Sequence, residues 1–172
     1  GLFVVLVFDR AHVVGSRDQA GLADVRIESA LSAIIDLEDS VACVDGEDKV
    51  NAYSTWLGLM KGDLTSEFEK NGEKVVRCLN PDLSFISPSG DDFSIRARAL
   101  LWIRNVGHLM TTPAVLDSNG DEIFEGLLDA MVTTMLGLHD LKKADGNSRH
   151  GSMYIVKPKM HGPAEVDFAD KI

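Results

Sequence analysis

The pattern of hydrophobic and polar residues along the chain predicts a mixture of strands and helices. Residues 1–8 are apolar but too few to cross a bilayer, so they are predicted to form a buried strand. Residues 18–32 begin with polar and glycine positions and then become mixed, which we interpret as the approach to a helix. Residues 33–35 are apolar and partly β-branched, so they predict another buried strand, and three of the four residues at 36–39 are acidic.

Two later segments have the spacing of amphipathic helices. Asp45 is a suitable N-cap for a helix that runs to about residue 60, with an apolar stripe formed by Val50, Tyr53, Trp56, Leu57 and Met60. A second helix is predicted from about Glu122 to Lys143, with a core face of Ile123, Leu127, Leu128, Met131, Val132, Met135 and Leu138. The acidic segment 117–122 lacks the glycine position of a calcium loop, so it is predicted to be a polar turn that leads into this helix.

The remaining apolar segments predict strands. Residues 74–95 have the pattern of β-structure with a turn at 88–91, which predicts a hairpin, and residues 99–103 and 152–160 predict two more strands. Three apolar strands therefore precede a loop or helix and carry polar residues at their C-terminal ends, as in a (β/α) barrel or a doubly wound sheet. The hairpin interrupts this pattern, and we interpret it as part of an insertion.

Composition and charge narrow the classes of function. The 172 residues are 45% hydrophobic and 26% charged, which is typical of an ordinary globular protein with one domain or two small ones. A net charge of -10 argues against non-specific nucleic-acid binding, although a local cluster of cations can still bind an anionic cofactor. Cys43 and Cys78 lie in apolar surroundings without CxxC spacing, so we expect buried free thiols in a reducing cytoplasm.

Several site types are excluded by their missing motifs. The five histidines lack the spacing of a zinc site. The sequence also contains no serine nucleophile elbow and no glycine-rich phosphate loop. Hydrolases of that type and P-loop enzymes are therefore not expected.

Candidate chemistry lies where predicted strands end. Asp36 and Glu38 are two residues apart and share one face of a strand, which suits Mg²⁺ either directly or through its waters. An acid-rich helix start or a salt-bridged pair is the alternative interpretation.

Arg104 follows an apolar run, so it should be partly buried beside an anion. In one interpretation the anion belongs to a substrate, as a carboxylate or a developing oxyanion. In the other it is the carboxylate of Asp36, Glu38 or Asp39, in a structural ion pair.

Three further cations are candidate anion ligands. Arg77 lies between apolar residues of a β segment and could bind a phosphate, although the pattern alone favours an arginine on the surface of a sheet. Lys157 and Lys159 are two apart on one predicted strand. They form either an anion site or a pair of lysines that are solvated or bound to acids.

Four motifs resemble the malate synthase G family in order and approximate spacing, and the resemblance extends over essentially the whole chain. They are DLEDSVA at 36–42, WLGLMKGDL at 56–64, RNVGHLMT at 104–111 and YIVKPKMHGP at 154–163. The resemblance implies an α/β fold, a partial (β/α)8 TIM barrel with an inserted α/β domain. It places barrel segments at 28–60 and 99–172 and parts of the inserted domain at 1–27 and 61–98.

The resemblance also implies a reaction, a Mg²⁺-dependent Claisen condensation of acetyl-CoA with glyoxylate, followed by hydrolysis to malate and CoA in the glyoxylate cycle. Arg104 matches the catalytic arginine that contacts glyoxylate and stabilises the enolate or alkoxide. Ser40 and Arg77 match acetyl-CoA contacts. Asp36 and Glu38 match acids that hold waters of the Mg²⁺.

The direct metal ligands and the carboxylate base lie further along the chain in that family. The sequence starts without Met and stops just after an apparent helix start, so we expect a fragment of a longer, monomeric, cytoplasmic protein. The 172 residues alone are expected to be inactive, with no nucleic-acid or membrane partner. Two alternatives remain open: an incomplete module that at most binds CoA and self-associates through open strand edges, or a related barrel lyase for another acyl-CoA or 2-oxo acid.

Overall fold

A computed structural model describes residues 2–38 and 43–172, and the chain divides into two compact units. The first unit comprises Gly1–Ala33 and Asn80–Ala99, and the second comprises Ile34–Leu79 and Leu100–Ile172. The described residues are mixed helix and sheet, and they form no closed barrel. The domain limits at 27/28, 60/61 and 98/99 stay a prediction.

Within residues 2–38 and 43–172, three α-helices lie among short strands. The helices are α1 (Gly46–Lys61), α2 (Glu125–Leu141) and α3 (Pro163–Lys171). The strands are β1 (Phe3–Phe8), β2 (Leu22–Glu28), β3 (Ser32–Asp36), β4 (Thr65–Lys70), β5 (Glu73–Cys78), β6 (Leu83–Ile86), β7 (Asp92–Ile95), β8 (Leu100–Arg104), β9 (Thr111–Leu116), β10 (Glu122–Phe124) and β11 (Ile155–Val156).

The first unit is built from two antiparallel hairpins. β1 pairs with β2 from Phe3 opposite Glu28 to Phe8 opposite Leu22, and β1 alternates between half-buried and exposed positions. The strand predicted at residues 1–8 is therefore confirmed, but its predicted burial is wrong, because its side chains are half-buried or exposed. The approach to a helix expected at 18–32 is also wrong, because Leu22–Glu28 is a strand. Pairing with β1 supplies the backbone hydrogen bonds of β2, which local sequence does not reveal. β6 and β7 form the predicted hairpin.

Helix α1 begins where its sequence predicts. The carboxylate of Asp45 accepts hydrogen bonds from the backbone N–H groups of Glu47 and Asp48 at 2.9 and 3.0 Å, as an N-cap does. Trp56 and Met60 are buried in the core with Leu37 and Ile103. Val50 was expected on the same stripe but is 61% exposed. The buried position at that end of the helix belongs to its neighbour, Lys49.

The core of the second unit lies beside a three-stranded sheet in the order β11-β8-β3. β8 is central and runs parallel to β11, with Ile103 opposite Ile155 and Arg104 opposite Val156. The strand predicted at 99–103 is confirmed, whereas only Ile155–Val156 of the strand predicted at 152–160 has strand pairing. β4 and β5 form a separate antiparallel hairpin.

The polar turn before α2 is confirmed, but the helix starts later than predicted. Asp117 Oδ1 accepts hydrogen bonds from the N–H groups of Asn119 and Asp121 at 2.8 and 3.0 Å. This turn joins β9 to β10, and the pairing of Glu122–Phe124 with β9 delays the helix to Glu125.

Helix α2 buries a different face from the one its hydrophobic spacing predicts. Its buried positions are polar or small: Glu125, Gly126, Asp129, Thr133, Gly137 and Asp140. The predicted core face is wrong for Leu127, Met131, Met135 and Leu138, all of which are exposed. The buried polar side chains are accommodated because they have hydrogen-bonding partners, as described below. None of the helices within residues 2–38 and 43–172 is long and apolar enough to cross a bilayer.

The cysteine environments differ from the expected pair of buried thiols. Both Cys43 and Cys78 are free, but Cys43 is half-buried and Cys78 is exposed. Cys78 is the last residue of β5 in a two-stranded hairpin. A hairpin with one partner strand leaves such a terminal side chain accessible.

Candidate functional site

Arg104 binds two carboxylates at the end of the central strand. Its Nη1 lies 3.0 Å from Asp36 Oδ2, and its Nη2 donates to Glu38 Oε2. Arg104 is the last residue of β8 and Asp36 is the last residue of β3, so the two neighbouring strands end at the same cluster. We call Asp36, Glu38 and Arg104 the acid–arginine cluster.

The backbone of β3 and β8 continues into the same cluster. The N–H of Leu37 donates to the carbonyl oxygen of Arg104 at 2.9 Å. The N–H of Glu38 donates to Asp36 Oδ1, also at 2.9 Å. Glu38 is only 3% exposed, so its charge depends on the cations beside it. The ion pair predicted as one alternative for Arg104 is therefore present, and it orients the guanidinium group.

Lys159 supplies the second cation next to Glu38. Its Nζ lies 2.6 Å from Glu38 Oε1 and forms a salt bridge with it. Lys159 has a backbone φ of 54°, a left-handed conformation that is uncommon for a residue with a side chain. The alternative that the two lysines pair with acids is thus confirmed for Lys159. The left-handed backbone conformation of Lys159 is strained, and it persists only where the surrounding structure holds it.

Lys157 points to the backbone instead of to an acid. Its Nζ donates to the carbonyl oxygen of Val106 at 2.6 Å. Burial lowers the pKa of Lys157 from its ordinary value, and the more distant charges of Asp129 and Glu38 oppose this change. The two lysines of the predicted anion site therefore have separate roles.

A buried polar network, which sequence reasoning missed, lies beneath the cluster. Lys49, 2% exposed, lies 2.5 Å from Glu125 Oε1 and 3.2 Å from Asp129 Oδ1. Asp129 also accepts a hydrogen bond from the phenol of Tyr53 at 2.6 Å. A signal was present in the sequence, because Lys49 lies four residues before Tyr53 and seven before Trp56 on the same face of α1.

A cavity of about 250 Å³ opens beside the acid–arginine cluster. Glu38 and Lys159 lie on its wall together with Glu125, and apolar residues such as Met110 complete the lining. Its volume is near the lower end for small-molecule sites. The half-buried Cys43 also faces this cavity, and burial raises the pKa of its thiol, with the nearby Lys49 opposing. The cavity therefore places an ammonium and two carboxylates around an apolar space.

The structure describes one of the two predicted acetyl-CoA contacts. Ser40 lies outside the described residues. Arg77 is exposed on β5, with its guanidinium 4.8 Å from the centre of the Phe68 ring. No contact described for Arg77 reaches Arg104, so its role stays a prediction.

The acids of the cluster already contact cations and N–H groups in the structure. Within residues 2–38 and 43–172, no group of three His, Cys, Asp or Glu side chains could hold a metal. Asp36 and Glu38 have all four carboxylate oxygens in contact with N–H groups or with Lys159. Glu38 Oε1 is buried, whereas the Asp36 side chain is 42% exposed and has lone pairs that can accept from water, so an outer contact to a hydrated Mg²⁺ fits Asp36 better than Glu38.

Comparison with known proteins identifies relatives along the full chain. A family described as "Malate synthase, TIM barrel domain" matches residues 100–172. Malate synthase G of Halalkalibacterium halodurans is 50% identical over all of this chain, which corresponds to 24% of that protein. The malate synthase G proteins of Corynebacterium glutamicum and Corynebacterium efficiens are 47% and 46% identical over all of this chain, which corresponds to 23% of the length of each.

The chain thus spans about a quarter of the length of the curated relatives it matches. The resemblance drawn from four sequence motifs is confirmed, and it extends over both compact units. Residues 100–172, which contain Arg104, α2 and Lys159, match the barrel domain itself. This chain is similar to malate synthase G proteins over its whole length, and residues 100–172 match the malate synthase TIM-barrel family.

Proposed function

We propose that the full natural gene product carrying this chain is a malate synthase, which condenses acetyl-CoA with glyoxylate and hydrolyses the product to malate and CoA in the glyoxylate cycle. The observation that carries the proposal is Arg104, oriented by Asp36 and Glu38 at the ends of two neighbouring strands. The setting is a chain 46–50% identical to malate synthase G proteins. The proposed fold is a TIM barrel with an inserted α/β domain, of which this chain forms part.

Arg104 is the proposed catalytic residue of this chain. Its guanidinium stays charged at any working pH and presents several N–H donors in one plane. The two carboxylates fix that plane, while about a third of the side chain remains exposed to a substrate. Donors already aimed at a glyoxylate oxygen would stabilise the negative charge that grows there as the new carbon–carbon bond forms.

Asp36 and Glu38 are proposed to hold waters of a Mg²⁺ whose direct ligands lie elsewhere in the full protein. When bound, the ion would polarise the aldehyde carbonyl of glyoxylate. Arg104 and Lys159 flank Glu38 and form salt bridges with it. The carboxylate base that removes a proton from the acetyl methyl is likewise proposed to come from another segment.

Ser40 and Arg77 are proposed to contact acetyl-CoA. A sheet-surface arginine, free of any ion pair among the described contacts, can bind a phosphate group.

We further propose a cytoplasmic, monomeric protein with neither nucleic-acid nor membrane partners. Free thiols at Cys43 and Cys78 agree with a reducing compartment.

The direct test supplies acetyl-CoA, glyoxylate and Mg²⁺ to the full gene product and follows release of the CoA thiol. Glyoxylate-dependent release is expected, and Arg104→Lys should lower kcat by about 100- to 1,000-fold because a single ammonium cannot replace the oriented donors. Arg149→Lys, at an exposed position, is the matched control and should leave turnover unchanged. Absence of glyoxylate-dependent thiol release from the wild-type protein would rule the proposal out.

Two alternatives are distinguished by the same assay. A lyase for larger 2-oxo acids would turn over pyruvate faster than glyoxylate. An incomplete module is favoured for the 172 residues alone, since residues 2–38 and 43–172 provide no three-ligand metal group. The isolated chain is therefore expected to release no thiol under conditions in which the full protein does.

A further inference from the structure

Two charged side chains beneath the acid–arginine cluster reach the backbone of both strand ends. Lys49 on α1 and Asp129 on α2 are 2% and 0% exposed, so neither can touch a substrate. We propose that Lys49 and Asp129 are positioning residues, which set the separation of the β3 and β8 ends and thereby hold Asp36, Glu38 and Arg104 in working geometry. This inference rests on the proposed function.

The ammonium of Lys49 uses all three of its donors inside the protein. One reaches the carbonyl oxygen of Leu37 at 3.1 Å, and the others reach Asp129 and Glu125. Leu37 lies between the two acids of the cluster. A hydrogen bond to its carbonyl therefore fixes the peptide between Leu37 and Glu38, and Asp36 is the residue before Leu37.

Asp129 performs the matching task on the other strand. Its Oδ2 accepts the N–H of Val106 at 2.9 Å, and its Oδ1 accepts from Lys49 and Tyr53. Val106 lies two residues after Arg104 on the segment that leaves β8. One carboxylate therefore links that segment to the ammonium that holds Leu37.

The two strand ends are also bonded directly, because the N–H of Leu37 donates to the carbonyl oxygen of Arg104 at 2.9 Å. This bond and the Lys49–Asp129 pair close a ring of contacts around the C-terminal ends of β3 and β8. A shift of Asp129 would move Val106 and Leu37 together. A misplacement of this kind alters catalysis more than substrate binding when it disturbs donors aimed at a transition state.

Burial gives a reason to expect a function for this pair. Charged groups are rarely fully buried unless they are paired, and a well-packed apolar pair would often be as stable. Lys49 faces two carboxylates, Glu125 and Asp129, so one ammonium is buried beside two acids and the formal charges of the three groups do not cancel. Directed bonds to two specific peptide groups are what an apolar replacement could not supply.

Helix α2 offers an internal control at its other end. Asp140 is also a buried carboxylate that accepts backbone hydrogen bonds, from Asn147 at 2.5 Å and Ser148 at 2.9 Å. Asn147 in turn bonds the backbone of Leu101 near the start of β8. Asp140 thus supports the opposite end of the strand, away from Arg104.

The experiment compares Asp129→Asn with Asp140→Asn in the full gene product. Asparagine keeps the shape but has one acceptor oxygen, so it cannot accept from Val106, Tyr53 and Lys49 as the carboxylate does. Asp129→Asn should lower kcat by about 10- to 100-fold with a smaller change in KM, as supporting residues typically do. Asp140→Asn should lower thermal stability and leave kcat and KM unchanged.

Amide hydrogen exchange supplies a readout that needs no activity. Asp129→Asn should speed exchange at Leu37 and Val106, whereas Asp140→Asn should speed it at Asn147 and Ser148. Equal effects of the two substitutions on kcat, or unchanged exchange at Leu37 and Val106 in Asp129→Asn, would overturn the inference.

If Asp129→Asn does not fold, Tyr53→Phe removes one donor to the same carboxylate and should give a smaller fall in kcat in the same direction. An unchanged kcat in Tyr53→Phe would then count against the inference. If the wild-type protein shows no glyoxylate-dependent turnover, the proposed function fails. The exchange pattern then decides the positioning roles by itself.

Discussion

The phenol of Tyr53 donates a 2.6 Å hydrogen bond to the fully buried carboxylate of Asp129. Burial, together with this bond, raises the pKa of Tyr53 well above its ordinary value of 10.0. For Lys49, burial alone would lower the pKa, but the carboxylates of Glu125 and Asp129 outweigh it, so the pKa rises above 10.5. Both groups therefore hold protons more tightly in the folded chain than in the unfolded one.

We predict that the second unit loses stability as the pH rises above about 10, because the unfolded chain releases the protons of Tyr53 and Lys49 before the folded one does. Their contribution is fully present below the ordinary pKa values. Lys157 has the opposite effect on the free energy of unfolding, because burial lowers its pKa. Its charged form is disfavoured in the folded chain, so this loss of stability is relieved as the pH rises toward 10.5. Denaturant unfolding of Tyr53→Phe at several alkaline pH values should show a shallower decline than wild type. An equally steep decline would contradict the assignment.

Lys159 should respond to backbone strain as well as to charge. Its φ of 54° is in the left-handed region, which asparagine tolerates better than β-branched residues. Lys159→Asn and Lys159→Val both lose the salt bridge to Glu38, so the difference between them isolates the backbone. We expect the valine variant to be less stable than the asparagine variant by about 1 to 2 kcal/mol in denaturant unfolding. Equal stabilities would show that the strain is absent.

Gly126 permits a close approach that alanine cannot. A Cβ there would lie 2.5 Å from Lys157 Nζ and 2.9 Å from the carbonyl oxygen of Gly107. The backbone carbonyl cannot move aside easily, so Gly126→Ala should destabilise the chain by about 1 to 3 kcal/mol despite the better helix propensity of alanine. Gly46→Ala, also at a helix start, meets only the Ala114 side chain and backbone at 3.3 Å or more. Thermal unfolding should show a much smaller loss in this control.

The apolar stripe of α2 predicts self-association of the 172-residue chain. Met131 is 65% exposed, and Met135 lies one turn further along the same face. The double substitution Met131→Glu, Met135→Glu should raise the monomer fraction, because charges oppose burial of this face. Ser54→Glu, at an exposed position on α1, should leave it unchanged. Sedimentation of the three proteins across a concentration series measures this, and an unchanged monomer fraction in the double variant would exclude the stripe as the contact.

Features set by near neighbours in the sequence could be predicted. Asp45 caps α1 through N–H groups two and three residues away, and the turn at Asp117 is equally local. β2 could not be identified in this way, because its strand state depends on pairing with β1. The start of α2 moved for the same reason, since β9 pairs with Glu122–Phe124.

Some residues of the candidate site could likewise be predicted from local sequence, and others could not. Asp36, Glu38 and Arg104 were recognised because each lies at the end of an apolar run, and the structure brings them together. Lys49 and Asp129 were missed, since a charged residue in a helix is usually taken as exposed. Their burial depends on each other across two helices, a relationship that spacing within either helix cannot reveal.

The unequal exposure of the two thiols makes this chain open to selective chemical labelling. The thiolate is the reactive form, and burial raises the pKa of Cys43, while Cys78 lies exposed at the end of β5. A maleimide fluorophore at neutral pH should therefore attach to Cys78 first. Because Arg77 is the adjacent residue, a change in the emission of the dye would test whether a phosphorylated ligand binds to that hairpin.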